Sequence, residues 1–127
     1  MKITVVKEFW FESAHHLPNY DGDCSRVHGH SYRLQVGFTG TINPETGMLV
    51  DFKDIKKIVK THVVDVLDHQ FLNVVDKSGP LKNPTAENMI VWIKEKIEES
   101  ILPSGHVSLS FIRLYETVGS YAEWRKE

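Results

Sequence analysis

His28-Gly29-His30-Ser31-Tyr32-Arg33-Leu34-Gln35-Val36-Gly37-Phe38 alternates at every step. One face carries His28, His30, Tyr32, Leu34, Val36 and Phe38; the other carries Gly29, Ser31, Arg33, Gln35 and Gly37. A period of two is the mark of a β-strand with one buried side. Upstream, Phe9-Trp10-Phe11-Glu12-Ser13-Ala14-His15 alternates in the same way, with Phe9, Phe11, Ser13 and His15 together. Between the two runs, Leu17 to Arg26 is polar and contains Pro18 and Gly22, so it reads as a long hairpin connection. Such a hairpin brings His15 to the same end of the sheet as His28. Three imidazoles converging from paired strands predict an open zinc site, with three nitrogen ligands and a fourth position left for water or substrate. A lone histidine here would more often be an ordinary hydrogen-bonded side chain. An in-register trio on an apolar face weighs the other way.

Outward from this hairpin the chain reads β-β-α-α-β-β. The first strand covers about Ile3 to His15 and the second His28 to Gly40. Asn43-Pro44-Glu45-Thr46-Gly47 has turn chemistry, and Met48 to Val50 reads as a short extended piece. Asp51 is a candidate helix cap, with Asp54 at the positive end of the dipole. The 3.6-residue period then predicts burial of Ile55, Ile58, Val59, His62 or Val63, and Val66, leaving Lys53, Lys56, Lys57 and Lys60 solvated. A second helix begins near Asn83-Pro84-Thr85-Ala86-Glu87, capped by Thr85. Its stripe is Ala86, Ile90, Ile93, Ile97 and Ile101, stopping before Pro103 and Gly105. Val107 to Glu116 and Ser120 to Trp124 close the chain as a second hairpin. Two hairpins flanking two helices predict an α+β layer, an antiparallel sheet with both helices on one face. Strands near a dozen residues long leave long edges, which predicts subunits that continue one another's sheets.

Bulk properties bound the function. At 127 residues the chain, residues 1–127, is most simply one domain. A net charge of −2 gives no general attraction to nucleic acid or to an anionic membrane. No apolar run approaches the ~20 residues of a membrane span, and the N-terminus lacks the apolar core of a signal peptide. Cys24 is the single cysteine, so the chain has no internal disulfide and no thiolate-rich zinc site. The expected location is the cytoplasm.

Five motifs in order carry a family resemblance: Phe11-Glu12-Ser13-Ala14-His15, Cys24-Ser25-Arg26-Val27-His28-Gly29-His30, Leu67-Asp68-His69, Asn83-Pro84-Thr85-Ala86-Glu87 and Tyr115-Glu116-Thr117. Together they resemble the 6-pyruvoyl-tetrahydropterin synthase family, most closely its bacterial branch of 6-carboxytetrahydropterin synthases. The compact Cys24-x3-His28 connection is what points to that branch, since the animal-type enzymes carry a longer insertion there. The resemblance implies a tunnelling fold in which the two hairpins form a four-stranded antiparallel sheet, three subunits close a twelve-stranded β-barrel and two trimers stack into a homohexamer. It implies a small pterin triphosphate as substrate, Zn2+ as cofactor, and a lyase reaction on the pterin side chain.

Each role implied has a plainer counterpart. His15, His28 and His30 match the family's zinc ligands, and His16 would point to the opposite face. Cys24 matches a proton-transfer thiol, where the plain reading is a small buried residue or a fourth zinc ligand. Asp68 and His69 match a proton-relay pair, although a histidine at a helix C-terminus is favoured by the dipole alone. Glu116 matches the pterin anchor, a carboxylate accepting two parallel hydrogen bonds from the ring. Thr85 matches a pocket hydroxyl and equally a helix cap. Nothing in the spacing of Arg26, Lys53 and Arg113 selects a triphosphate ligand. The final Ala122-Glu123-Trp124-Arg125-Lys126-Glu127 departs from the usual family ending.

Overall fold

Strands β1 (Lys2–His15) and β2 (His28–Thr41) pair antiparallel along their full length, from Lys2 opposite Thr41 to His15 opposite His28. The structure is a computed structural model and describes residues 1–100 and 106–127. The alternation divides the faces as expected. Phe9, Phe11, Ser13 and His15 on β1, and Tyr32, Leu34, Val36 and Phe38 on β2, are all buried. The connection folds back on itself, with the Leu17 N–H donating to the Cys24 carbonyl at 2.8 Å beside a 3-10 turn, Asp23–Ser25.

The expected four-stranded antiparallel sheet is corrected to five strands. Beside β1, β2, β4 (Val107–Thr117) and β5 (Ser120–Arg125), a short β3 (Gln70–Phe71) joins the edge, in the order β3-β1-β2-β4-β5. It pairs parallel to β1 through Ser13 and Ala14. Two residues are too few for any alternation to register in a sequence; this strand exists because the chain leaving the first helix runs along an open edge. The extended piece expected at Met48 to Val50 reduces to one bridge, Asn43 opposite Met48, closed by Gly47 at φ 72, a value that favours glycine.

The first helix starts as expected: the Asp51 side chain accepts from the Lys53 N–H at 2.8 Å. Helix α1 (Phe52–Val59) then passes without a break into a π-helical turn (Lys60–Val64) and a last α-helical turn, α2 (Asp65–Leu67). The wide turn delays the buried stripe by about one residue. Burial therefore follows Ile55, Val59, Val63 and Leu67, while Val66, expected inside, is exposed, as is His62.

Helix α3 (Ala86–Glu98) is capped by Thr85, whose Oγ1 accepts from the Asn88 N–H at 3.1 Å. Its buried face is Met89, Ile90, Trp92, Ile93 and Ile97. The expected end of the stripe, Ile101, Pro103 and Gly105, lies outside the described residues. Both helical segments share one core with the same sheet face, where Ile55, Val59 and Leu67 meet Ile93, Leu34, Ile112 and Leu114. Each such fully buried side chain contributes roughly 1.5–3 kcal/mol. No helix among the described residues is long and apolar enough to cross a membrane.

Candidate metal centre and substrate site

The end of the β1–β2 ladder brings the three histidines together. One nitrogen from each of His15, His28 and His30 lies within 4.8 Å of the other two. Their rings stand edge to face, with centroids 4.6 to 5.1 Å apart. Backbone carbonyls determine which nitrogens are free. His15 Nδ1 donates to the Pro84 carbonyl at 2.8 Å, and His28 Nδ1 donates to the Arg26 carbonyl at 2.8 Å. In neutral imidazoles held this way the Nε2 atoms carry the lone pairs, and they face each other at 3.1 Å. Two lone pairs so placed repel unless a cation lies between them. His30 Nε2, buried, has no hydrogen-bond partner. Three converging ring nitrogens, two of them with an orienting carbonyl behind the ring, fit a divalent metal ion, and the trio could hold one.

Burial lowers the pKa of His15 and of His30, and the neighbouring imidazoles lower them further; Glu116 opposes this by favouring their charged forms. The net direction keeps the rings neutral, the form a metal needs. Tyr32 sits beneath the cluster, fully buried, with its hydroxyl 3.3 Å from His15 Nδ1 and its own pKa raised by burial.

Glu116 faces the trio. It is the extra residue of a bulge, since Tyr115 pairs with Tyr121 and Thr117 with Ser120. Its Oε1 lies 3.5 Å from His30 Nε2. It also lines a cavity of about 380 Å3 with Ala86, Glu87 and Tyr121. On the other side, His30, His69, Glu12 and Phe71 line a cavity of about 500 Å3.

Asp68 and His69 follow the last turn of the first helix. Asp68 Oδ1 accepts from the Glu12 N–H at 2.9 Å and lies 3.0 Å from His69 Nδ1. These two bonds hold the Asp68 carboxyl below its ordinary pKa. The His69 N–H donates to the Glu12 carbonyl at 2.6 Å, and His69 adopts φ 58, in the left-handed region. His69 itself is largely exposed.

Two expected residues stand apart from the trio. Cys24, half-buried in its 3-10 turn, is not a member of the cluster, so among the described residues no fourth side chain joins the three histidines. His16 turns away as expected, its ring stacked on Phe71 at 5.9 Å and its backbone bonded to Asn73. Thr85 serves as a cap, one residue from the carbonyl that holds His15. Sequence reading missed Pro84, Arg26 and Tyr32 as supports of the trio. Carbonyl oxygens leave no trace in a sequence, and Tyr32 looks like any other core aromatic.

The sequence pattern of the 6-pyruvoyl tetrahydropterin synthase family matches residues 4–127. The chain belongs to that family. Among its family relatives, a 6-carboxy-5,6,7,8-tetrahydropterin synthase of Synechocystis is 40% identical over 94% of this chain and 91% of its own length. A dihydroneopterin monophosphate aldolase of Pyrococcus furiosus is 33% identical over 98% of this chain and all of its own. The 6-pyruvoyl tetrahydropterin synthase of Caenorhabditis elegans superposes with a TM-score of 0.86 over 100% of this chain and 97% of that one; at 24% identity it speaks for the fold alone.

Proposed function

We propose that this chain is a 6-carboxy-5,6,7,8-tetrahydropterin synthase. It converts 7,8-dihydroneopterin triphosphate and water to 6-carboxy-5,6,7,8-tetrahydropterin, acetaldehyde and triphosphate, a step toward queuosine and other deazapurines. The observation that carries this reading is the cluster of three imidazoles with their free nitrogens turned inward, in a chain 40% identical to a synthase of that name. Zinc, held by His15, His28 and His30, would supply Lewis-acid polarisation of the substrate's side-chain oxygens and acidify the neighbouring protons.

The chain's own residues do the rest. Glu116, beside His30 and at the rim of the cavity shared with Ala86, anchors the pterin by accepting from its 2-amino group and N3–H. Thr85, next in the chain to Ala86 of that wall, offers its hydroxyl toward the pterin in this reading. Cys24 takes a side-chain proton; it is carried on the short connection between His15 and His28. His69 moves protons to or from the substrate, and Asp68 orients it and stabilises its charged form. The outer side of β1, which has a strand partner only at Ser13 and Ala14 among the described residues, supports edge-to-edge assembly into a barrel and a homohexamer. The reading places the enzyme in the cytoplasm.

Purified protein assayed for metal and incubated with dihydroneopterin triphosphate tests this. About one zinc per chain, with acetaldehyde and triphosphate released together, is the expected result. Triphosphate without acetaldehyde would instead make it a pyruvoyltetrahydropterin synthase. The similarity to the Pyrococcus aldolase favours a second reading, aldol cleavage of the side chain with the phosphates left in place on the released fragment.

A further inference from the structure

Ser13 is the one polar side chain, apart from the ligand His15, on the buried face Phe9, Phe11, Ser13 and His15 of β1, and only 6% of its surface is exposed. Alanine would fill the same space, so the hydroxyl calls for its own explanation. Its Oγ donates to the Leu67 carbonyl at 2.5 Å. That carbonyl is among the last of the first helical segment, which have no partner within the helix. Leu67 immediately precedes Asp68 and His69. Immediately after them, Gln70 pairs with Ser13 in the β1–β3 ladder, while on the opposite side Ser13 pairs with His30. Ser13 thus touches the chain before the relay pair, the chain after it, and the strand of a metal ligand.

Besides the β1–β3 ladder, whose other pair is Ala14 with Phe71, the hydrogen bonds of this segment to β1 among the described residues are the Glu12 N–H to Asp68 Oδ1 and the His69 N–H to the Glu12 carbonyl. On the β1 side both use main-chain atoms, which any residue at position 12 supplies. The only β1 side chain in the clamp is Ser13. His69, held at φ 58, has a backbone that local preference does not favour, so its position depends on these bonds.

We infer that Ser13 is a positioning residue: its hydroxyl sets the distance and direction of Asp68–His69 relative to the His15–His28–His30 cluster. This rests on the relay role given to that pair above. A hydroxyl whose loss lets the helix end drift by a fraction of an ångström slows proton transfer without disturbing metal or pterin binding.

The test is a double-mutant cycle on the intact zinc-loaded protein with dihydroneopterin triphosphate. Ser13→Ala is expected to lower kcat roughly 10- to 100-fold, with KM within about twofold and zinc content unchanged. In a His69→Ala background the same substitution is expected to cost less than about twofold, because the group it positions is gone. Amide exchange at His69 and Gln70 should quicken in Ser13→Ala while the β1–β2 ladder stays protected. A Ser13→Ala enzyme with wild-type kcat, loss of zinc, or equal effects in the two backgrounds would overturn the inference. If His69→Ala itself keeps wild-type kcat, the relay reading falls and this inference with it. If His69→Ala is slow and Ser13→Ala is not, only this inference falls.

Discussion

The β1–β2 ladder and the segment Asp65–Phe71 deliver functional groups to neighbouring places by opposite means. The ladder is regular through all its pairs, and its three histidines fall where a period of two puts them. The segment from Asp65 to Phe71 has no period. It follows a π-helical turn, passes through a left-handed residue, and ends in a two-residue parallel strand. Regular backbone places side chains by counting. Irregular backbone places them by individual bonds, here Asp68 and His69 to Glu12 and Ser13 to Leu67. The first region should therefore fail only when one of its histidines is removed, and the second when any one of its ties is cut.

The largest effect should come from the ladder's chemistry. His28→Ala leaves two imidazoles, and metal affinity should fall by more than the ~10–100-fold typical of losing an outer-shell partner; competition with a chromogenic chelator measures it. Next comes the phase of the helix. Leu67→Ala should cost about 2–5 kcal/mol, whereas Val66→Ala should stay within about 0.5 kcal/mol. Urea unfolding of both variants checks this, and equal costs would mean that the π-helical turn does not shift the stripe. Thr85→Ala removes a cap and should cost about 1 kcal/mol; a raised KM for the pterin substrate as well would support the pocket role proposed for Thr85.

His69→Gly separates strain from function. Glycine accepts φ 58 freely, so melting temperature should hold or rise, by up to about 1 kcal/mol of stability, while turnover falls. The smallest effect is that of pH on the metal-free protein. His15 and His30 have pKa values lowered in the folded state, so the stability they contribute is complete above the ordinary histidine value of about 6.5 and is lost as pH falls through the lowered values. Melting temperature against pH from 8 to 5 should be flat and then decline over that window; a rise on acidification would reverse the assigned direction.

Much of the site was legible because its carriers obey simple rules. His15, His28 and His30 were readable from alternation and one hairpin, and Asp51 and Thr85 from cap chemistry. What was not legible depends on contacts distant in sequence. The fifth strand arises from the open edge of β1, and the switch from Val66 to Leu67 from a single wide turn. Glu116 shares a cavity wall with Ala86 because a bulge at the end of β4 frees it from the ladder.

From its residues alone, this chain dictates the two long strands, their buried faces, both helix starts and the trio of imidazoles. These are periodic or nearest-neighbour effects, and periodicity is written along the chain. Tertiary structure alone decides which ring nitrogens are free, how Asp68 and His69 are pinned, and that the thiol of Cys24 stays outside the cluster. Those outcomes depend on carbonyls and edges brought together from positions up to 69 residues apart, and no local pattern encodes such a meeting.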